Sequence, residues 1–137
     1  PERKNLFHDY VEKHSNLLKK NGIEPALMMT WAYKDKPEMT SQLAQEYTVA
    51  GNKNNVLVMP VGLAYANSTK VHPEIDLYTS DKRHPSKAGT YLSACVMYAS
   101  VFQTSPVGNS YTFDLDTNIA LNLQKIAWAT HQEYYEN

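Results

Sequence analysis

At 137 residues, 42% of them hydrophobic, the chain is long enough to bury a core of its own. Its 13 Lys and Arg nearly balance 14 Asp and Glu, so no bulk field draws it to nucleic acid or to a membrane surface, and neither is expected as a partner. No apolar run is long enough to span a bilayer. The single cysteine, Cys95, excludes an internal disulfide and reads as a packed small hydrophobe.

In chain order, residues 5–20 place Leu6, Tyr10, Val11, Leu17 and Leu18 on one stripe, which predicts an amphipathic surface helix stopped by Asn21-Gly22. Residues 25–31 form an unbroken apolar run ending in Thr30-Trp31, the pattern of a strand buried on both faces. Pro37 to Ser41 is a helix start that turns Leu43, Ala44, Tyr47 and Ala50 inward, and Gly51 to Asn55 reads as its end. Val56 to Met59 is a second buried strand, broken by Pro60 and Gly62. Leu63 to Thr69 reads as a short helix or a loop, and Val71 to Ser80 as a connection.

A helix capped by Ser86 then runs through Tyr91, Leu92, Cys95, Ala99 and Phe102. After a loop from Thr104 to Phe113, a last helix begins near Asp116, with Asp116 or Thr117 as its cap. Its inward stripe is Ile119, Ala120, Leu123, Ile126, Ala127 and Thr130. Alternating helices and buried strands predict an α/β fold with a parallel sheet covered on both sides. No repeat, linker or low-complexity tract marks a boundary within residues 1–137.

Between the second strand and the Ser86 helix lies Ser80-Asp81-Lys82-Arg83-His84-Pro85-Ser86. A carboxylate three residues before an imidazole in a turn can accept from one ring nitrogen and fix the tautomer, which leaves the other nitrogen free as a base. Pro85 keeps His84 out of the helical conformation, so the imidazole sits on a stiff loop just outside a helix N-terminus. Asp81 and His84 are therefore the candidate catalytic pair.

Asp81-x-x-His84 followed by Pro85-Ser86-x-x-Gly89-Thr90-Tyr91-Leu92-x-Ala94-Cys95 resembles the last sequence block of the SGNH (GDSL-like) hydrolases. The similarity extends to residues 29–33, 59–64, 105–108 and 123–128, nearly the whole chain. The resemblance implies the C-terminal part of a three-layer α/β/α sandwich with a parallel sheet, the flavodoxin-like fold of that family, with residues 1–137 belonging to a single domain. It implies a serine esterase, acting for instance on an O-acyl group of a carbohydrate, in which Asp81 and His84 complete a Ser-His-Asp triad.

The family's serine block and its oxyanion-hole Gly and Asn have no counterpart here. The start at Pro1-Glu2-Arg3-Lys4, with no initiator Met, leader or first strand, reads as a C-terminal piece of a longer protein. The expected partner is the N-terminal segment or complementary chain that carries the nucleophile. Two strands cannot form an independent sheet, which points to the same need. Many relatives place a small residue inside the Asp-x-x-His turn, where this chain has Lys82 and Arg83. Two alternatives stand beside the enzyme: a non-catalytic flavodoxin-like binding or assembly module that keeps the turn, and a proteolytic remnant stable only within a nicked enzyme.

Trp31 and Tyr33 follow a strand end, where parallel sheets place their ligand crevice, so they can line a substrate groove or pack under a loop. Lys82 and Arg83 read as solvated turn charges, with Arg83 also placed to meet an anionic or sugar substrate. Ser110, in Gly108-Asn109-Ser110-Tyr111, resembles a nucleophile turn only superficially, because Ser105-Pro106-Val107 precedes it where a strand is required. His8, His14, His72 and His131 lack a paired ligand spacing, so no metal is inferred, and no cofactor motif is present.

Overall fold

The structure, a computed structural model, describes residues 3–136; the chain start at Pro1-Glu2 lies outside them. The elements run α1 (Lys4–Lys20), β1 (Ala26–Met28), α2 (Met39–Asn54), β2 (Leu57–Met59), α3 (Val61–Val71), α4 (Lys87–Phe102) and α5 (Thr117–Glu136). The expected stop of α1 forms: Gly22 takes φ +71°, its N–H reaches Lys19 O at 3.0 Å, and the Ile23 N–H reaches Leu18 O at 3.0 Å. Ser86 caps α4 by accepting the Gly89 N–H at 3.2 Å. Asp116 caps α5 by accepting from the Asn118 N–H at 2.9 Å.

β1 and β2 are parallel, with Ala26 opposite Leu57, Leu27 opposite Val58 and Met28 opposite Met59. The three-layer sandwich is not there. Among the described residues there are five helices and a sheet of two three-residue strands, an area too small to be a layer on which helices could stack from both sides. The core forms instead where α3, α4 and α5 pack on one another, around Tyr65, Leu77, Leu92, Val96 and Leu123. The chain is therefore predominantly a helix-on-helix assembly with a small parallel pair at one side.

Several local expectations are corrected for the same reason. β1 is not buried on both faces: Ala26 and Met28 are exposed and Leu27 is half-buried, because the helices pack on one another and on β2 more than over the faces of β1. α1 packs mainly against α2, while α2 and α4 are the helices against β2. On α1 the buried residues are Val11 and Ser15, whereas Leu6, Tyr10 and Leu17 stay more than half exposed.

Gly51 does not end α2, which continues to Asn54 and stops at Asn55 in the left-handed region. Gly51 is a point of close approach, where a side-chain carbon would strike Val58 Cγ2 and come within 3.0 Å of Val56 O. The ambiguous stretch from Leu63 to Thr69 is helical within α3. Phe102, the last residue of α4, is 65% exposed.

Candidate functional site

The Asp81 turn is built as a pinched loop. Tyr78 and Pro85 form an isolated antiparallel bridge, and the Thr79 N–H donates to His84 O at 2.9 Å. The Ser86 N–H donates to Leu77 O and the Lys82 N–H to Thr79 O, each at 2.9 Å. Lys82 takes φ +63°, which lets the chain reverse inside the turn. The Ser86 hydroxyl donates to Asp76 O at 2.8 Å, so one residue caps α4 and ties the loop base together.

Within this loop the Asp81 carboxylate gathers four donors. Its Oδ1 receives the Thr79 hydroxyl at 2.8 Å and the Arg83 and His84 N–H groups at 2.9 Å each, while its Oδ2 is bonded to His84 Nδ1. The His84 bond first, then the two backbone N–H groups and Thr79, hold the Asp81 carboxyl well below the usual carboxylate range. A carboxylate that stays ionised can only accept, so the shared hydrogen sits on Nδ1 and Nε2 is the basic nitrogen. The imidazole is 79% exposed.

Two long-range contacts position the loop. The Trp31 Nε1–H donates to Arg83 O at 2.9 Å, and the Lys34 N–H donates to Lys82 O at 2.9 Å. Trp31 in turn stacks on Tyr65, with ring centroids 4.7 Å apart and planes 9° from parallel; Tyr78 meets Tyr65 edge-on and donates its hydroxyl to Ala32 O at 2.8 Å. Burial of Tyr65 raises its phenol to about 12, so it stays neutral beneath the site.

Trp31, Tyr33, Arg83 and His84 line one groove of about 360 Å³, together with Thr30, Met39 and Leu43. The three residues expected to meet substrate, Trp31, Tyr33 and Arg83, thus lie beside the candidate base His84, and Asp81 is bonded to His84. The Arg83 guanidinium lies 4.8 Å from the centre of the Tyr33 ring. Lys82 is exposed in the turn.

Thr79, Met39, Leu43 and Tyr65 escaped the sequence reading as site residues. For Thr79 a signal existed, a hydroxyl two residues before a turn aspartate. For the other three only packing decides.

Ser110 sits in the loop between α4 and α5, held by the Tyr91 hydroxyl on Tyr111 O at 2.8 Å and by Gln124 Nε2 on Asn109 O at 2.9 Å. The element directly before that loop is the helix α4 rather than a strand, and α5 begins only at Thr117. The remaining histidines are dispersed: His8 bonds Glu46 at 2.8 Å, His72 bonds Glu74 at 3.0 Å, His14 stacks on Tyr10, and His131 is buried between Trp128 and Tyr135.

No protein-family model matches the chain, and searches of curated proteins and of solved structures return no match.

Proposed function

We propose that this chain supplies the His and Asp of a Ser-His-Asp triad in an SGNH-type serine esterase, hydrolysing for instance an O-acyl group on a carbohydrate. The single observation that carries the reading is the bond from His84 Nδ1 to an Asp81 carboxylate already held by three other donors, on a groove with aromatic walls. The nucleophile and the oxyanion donors come from a segment or chain that docks beside His84. His84 Nε2 takes the serine proton as Oγ attacks the ester carbon, then returns it to the departing alkoxide, leaving an acyl-enzyme. In the second half, Nε2 takes a proton from water as the water oxygen attacks, and the acid leaves as serine regains its proton. Asp81 keeps the ring oriented and stabilises the imidazolium in both halves.

The test joins this chain to the segment that supplies the serine, then measures ester turnover and labelling by a fluorophosphonate. Both are expected in the joined protein and neither in this chain alone. His84→Ala should cut turnover by on the order of a thousandfold or more with folding retained. Full turnover in that variant, or labelling of Ser110 in this chain alone, overturns the proposal.

A further inference from the structure

The loop between α4 and α5 ends in a tight turn, where the Leu115 N–H donates to Thr112 O at 3.0 Å. Both central residues lie at positive φ, Phe113 at +55° and Asp114 at +53°. Reverse turns of that kind take Asn, Asp or Gly at these positions. Asp114 suits its place, but Phe113 does not, because a bulky side chain crowds its own backbone in the left-handed region. A turn that only joined two helices would be more stable with glycine there. Strain held at such a position points to a side chain kept for a purpose other than folding.

The ring so held faces solvent. Phe113 is exposed and Tyr111 is 68% exposed, with their ring centroids 6.4 Å apart and planes 38° from parallel. The backbone beneath them is clamped without their help. The Tyr111 N–H donates to Asn109 Oδ1 at 2.9 Å, and Tyr111 O accepts the Tyr91 hydroxyl. The buried Gln124 accepts the Gly108 N–H at 2.9 Å and donates both to Asn109 O and to the Tyr91 hydroxyl. A rigid base therefore presents two aromatic rings in a fixed pose, which lowers the ordering cost of binding.

The surroundings of the rings are polar. Asn109 and Ser110 are exposed, the Asp114 carboxylate stands almost wholly in water, and the Lys87 ammonium lies 5.3 Å from the centre of the Phe113 ring. Aromatic faces edged by short polar side chains and by one charge of each sign match a pyranose. Its C–H face is drawn to the negative face of an aromatic ring, while its hydroxyls turn to donors and acceptors at the edge. Two rings side by side match two neighbouring units of an extended chain. A membrane-surface anchor draws on Lys and Arg, whereas here Asp114 and Asp116 outnumber Lys87.

We propose that Tyr111 and Phe113 form a platform that binds an extended, neutral pyranose oligosaccharide by stacking. Neither ring lines the groove beside His84. The platform holds a sugar chain without acting on it, and it does not rest on the esterase reading.

The experiment titrates this chain with cellohexaose and, separately, with sorbitol at matched hydroxyl concentration, following the Tyr111 and Phe113 ring resonances. Cellohexaose is expected to shift both rings saturably. Sorbitol, which has hydroxyls but no flat C–H face, should shift neither. Tyr111→Ser should weaken cellohexaose binding at least about tenfold, through loss of one stacked face. Phe113→Gly should weaken it likewise and melt no lower than the parent chain, because glycine accepts positive φ. A Phe113→Gly chain that melts well below the parent shows that the ring is there for packing, and overturns the proposal. Cellohexaose shifts in neither ring, shifts confined to Trp31 and His84, or an equal response to sorbitol overturn it too. So does Tyr111-dependent partition onto phosphatidylcholine vesicles with cellohexaose inert, which makes the pair a membrane anchor. Should Tyr111→Ser misfold by circular dichroism, Tyr111→Leu, which keeps bulk and loses the aromatic face, is read in the same way.

Discussion

The indole N–H of Trp31 donates to the carbonyl of Arg83 at 2.9 Å, across 52 residues of sequence, so the end of the first strand segment holds the backbone of the turn that carries His84. Trp31→Phe keeps an aromatic ring over Tyr65 but removes this donor and part of the stacked indole. It should cost about 1–3 kcal/mol in overall stability, the hydrogen bond and the lost packing together. Faster amide exchange at residues 79–84, read by NMR, should accompany it. Unchanged exchange there would show that the loop holds its shape without the indole.

Asp81 titrates far below a free aspartate because the His84 imidazole, two backbone N–H groups and the Thr79 hydroxyl all favour its charged form. A depressed carboxylate pKa contributes stability that is present above the unfolded pKa and is lost as pH falls through the folded one. The turn should thus stay ordered through the range where ordinary carboxylates protonate, and open only in stronger acid. The Arg83 and His84 amide resonances, followed during acid titration, check this. Opening in the range where a free aspartate protonates would contradict it.

Asp81→Asn should fold and yet lower turnover of the joined enzyme by about three to four orders of magnitude, because an amide donor at that position favours the wrong imidazole tautomer. Thr79→Val removes one of four donors and should act in the same direction with a much smaller effect. Nitrogen shifts of the His84 ring report the tautomer directly. A ring that keeps its hydrogen on Nδ1 in the Asp81→Asn variant would sink this account.

Helix α4 meets the loop base at Gly89, where a side-chain carbon would lie 2.6 Å from the Tyr65 hydroxyl and would also strike Leu77 O. Gly89→Ala should destabilise by about 1–3 kcal/mol through overpacking, despite the better helix propensity of alanine. Thermal melts decide the sign. On the same helix, burial pushes the Cys95 thiol up to about 11, so it should resist thiol reagents at pH 8 until the chain is unfolded.

The helix faces can be told apart by substitution. Leu6→Ser, Tyr10→Ser and Leu17→Ser, each on the exposed stripe of α1, should change stability by within about 0.5 kcal/mol apiece. Val11→Ala, on the buried side, should cost on the order of 1–2 kcal/mol. The three serines should also reduce binding of a hydrophobic dye to the folded chain, since they remove exposed apolar surface. Losses at Leu6 or Leu17 as large as at Val11 would restore the face drawn from periodicity.

What the sequence by itself determined is local. Asp81, His84, Pro85 and Ser86 lie within six residues, and turn geometry, the restriction before proline and the capping hydroxyl act over that span whatever the rest of the chain does. The stops at Gly22 and the cap at Asp116 are legible for the same reason, as is the parallel pairing of two apolar runs joined by a helix. Tertiary structure alone decided the rest. The size of the sheet depends on how many strands meet, and two short ones left the core to α3, α4 and α5. The side of α1 that is buried depends on where α2 lies, not on α1's own stripe. Gly51 looked like a stop but is a contact with Val58, because a missing side chain serves a turn and a close approach equally well. Met39 and Leu43 reach His84 through packing across about forty residues, and a periodic pattern records that a side chain turns inward without recording what it will meet.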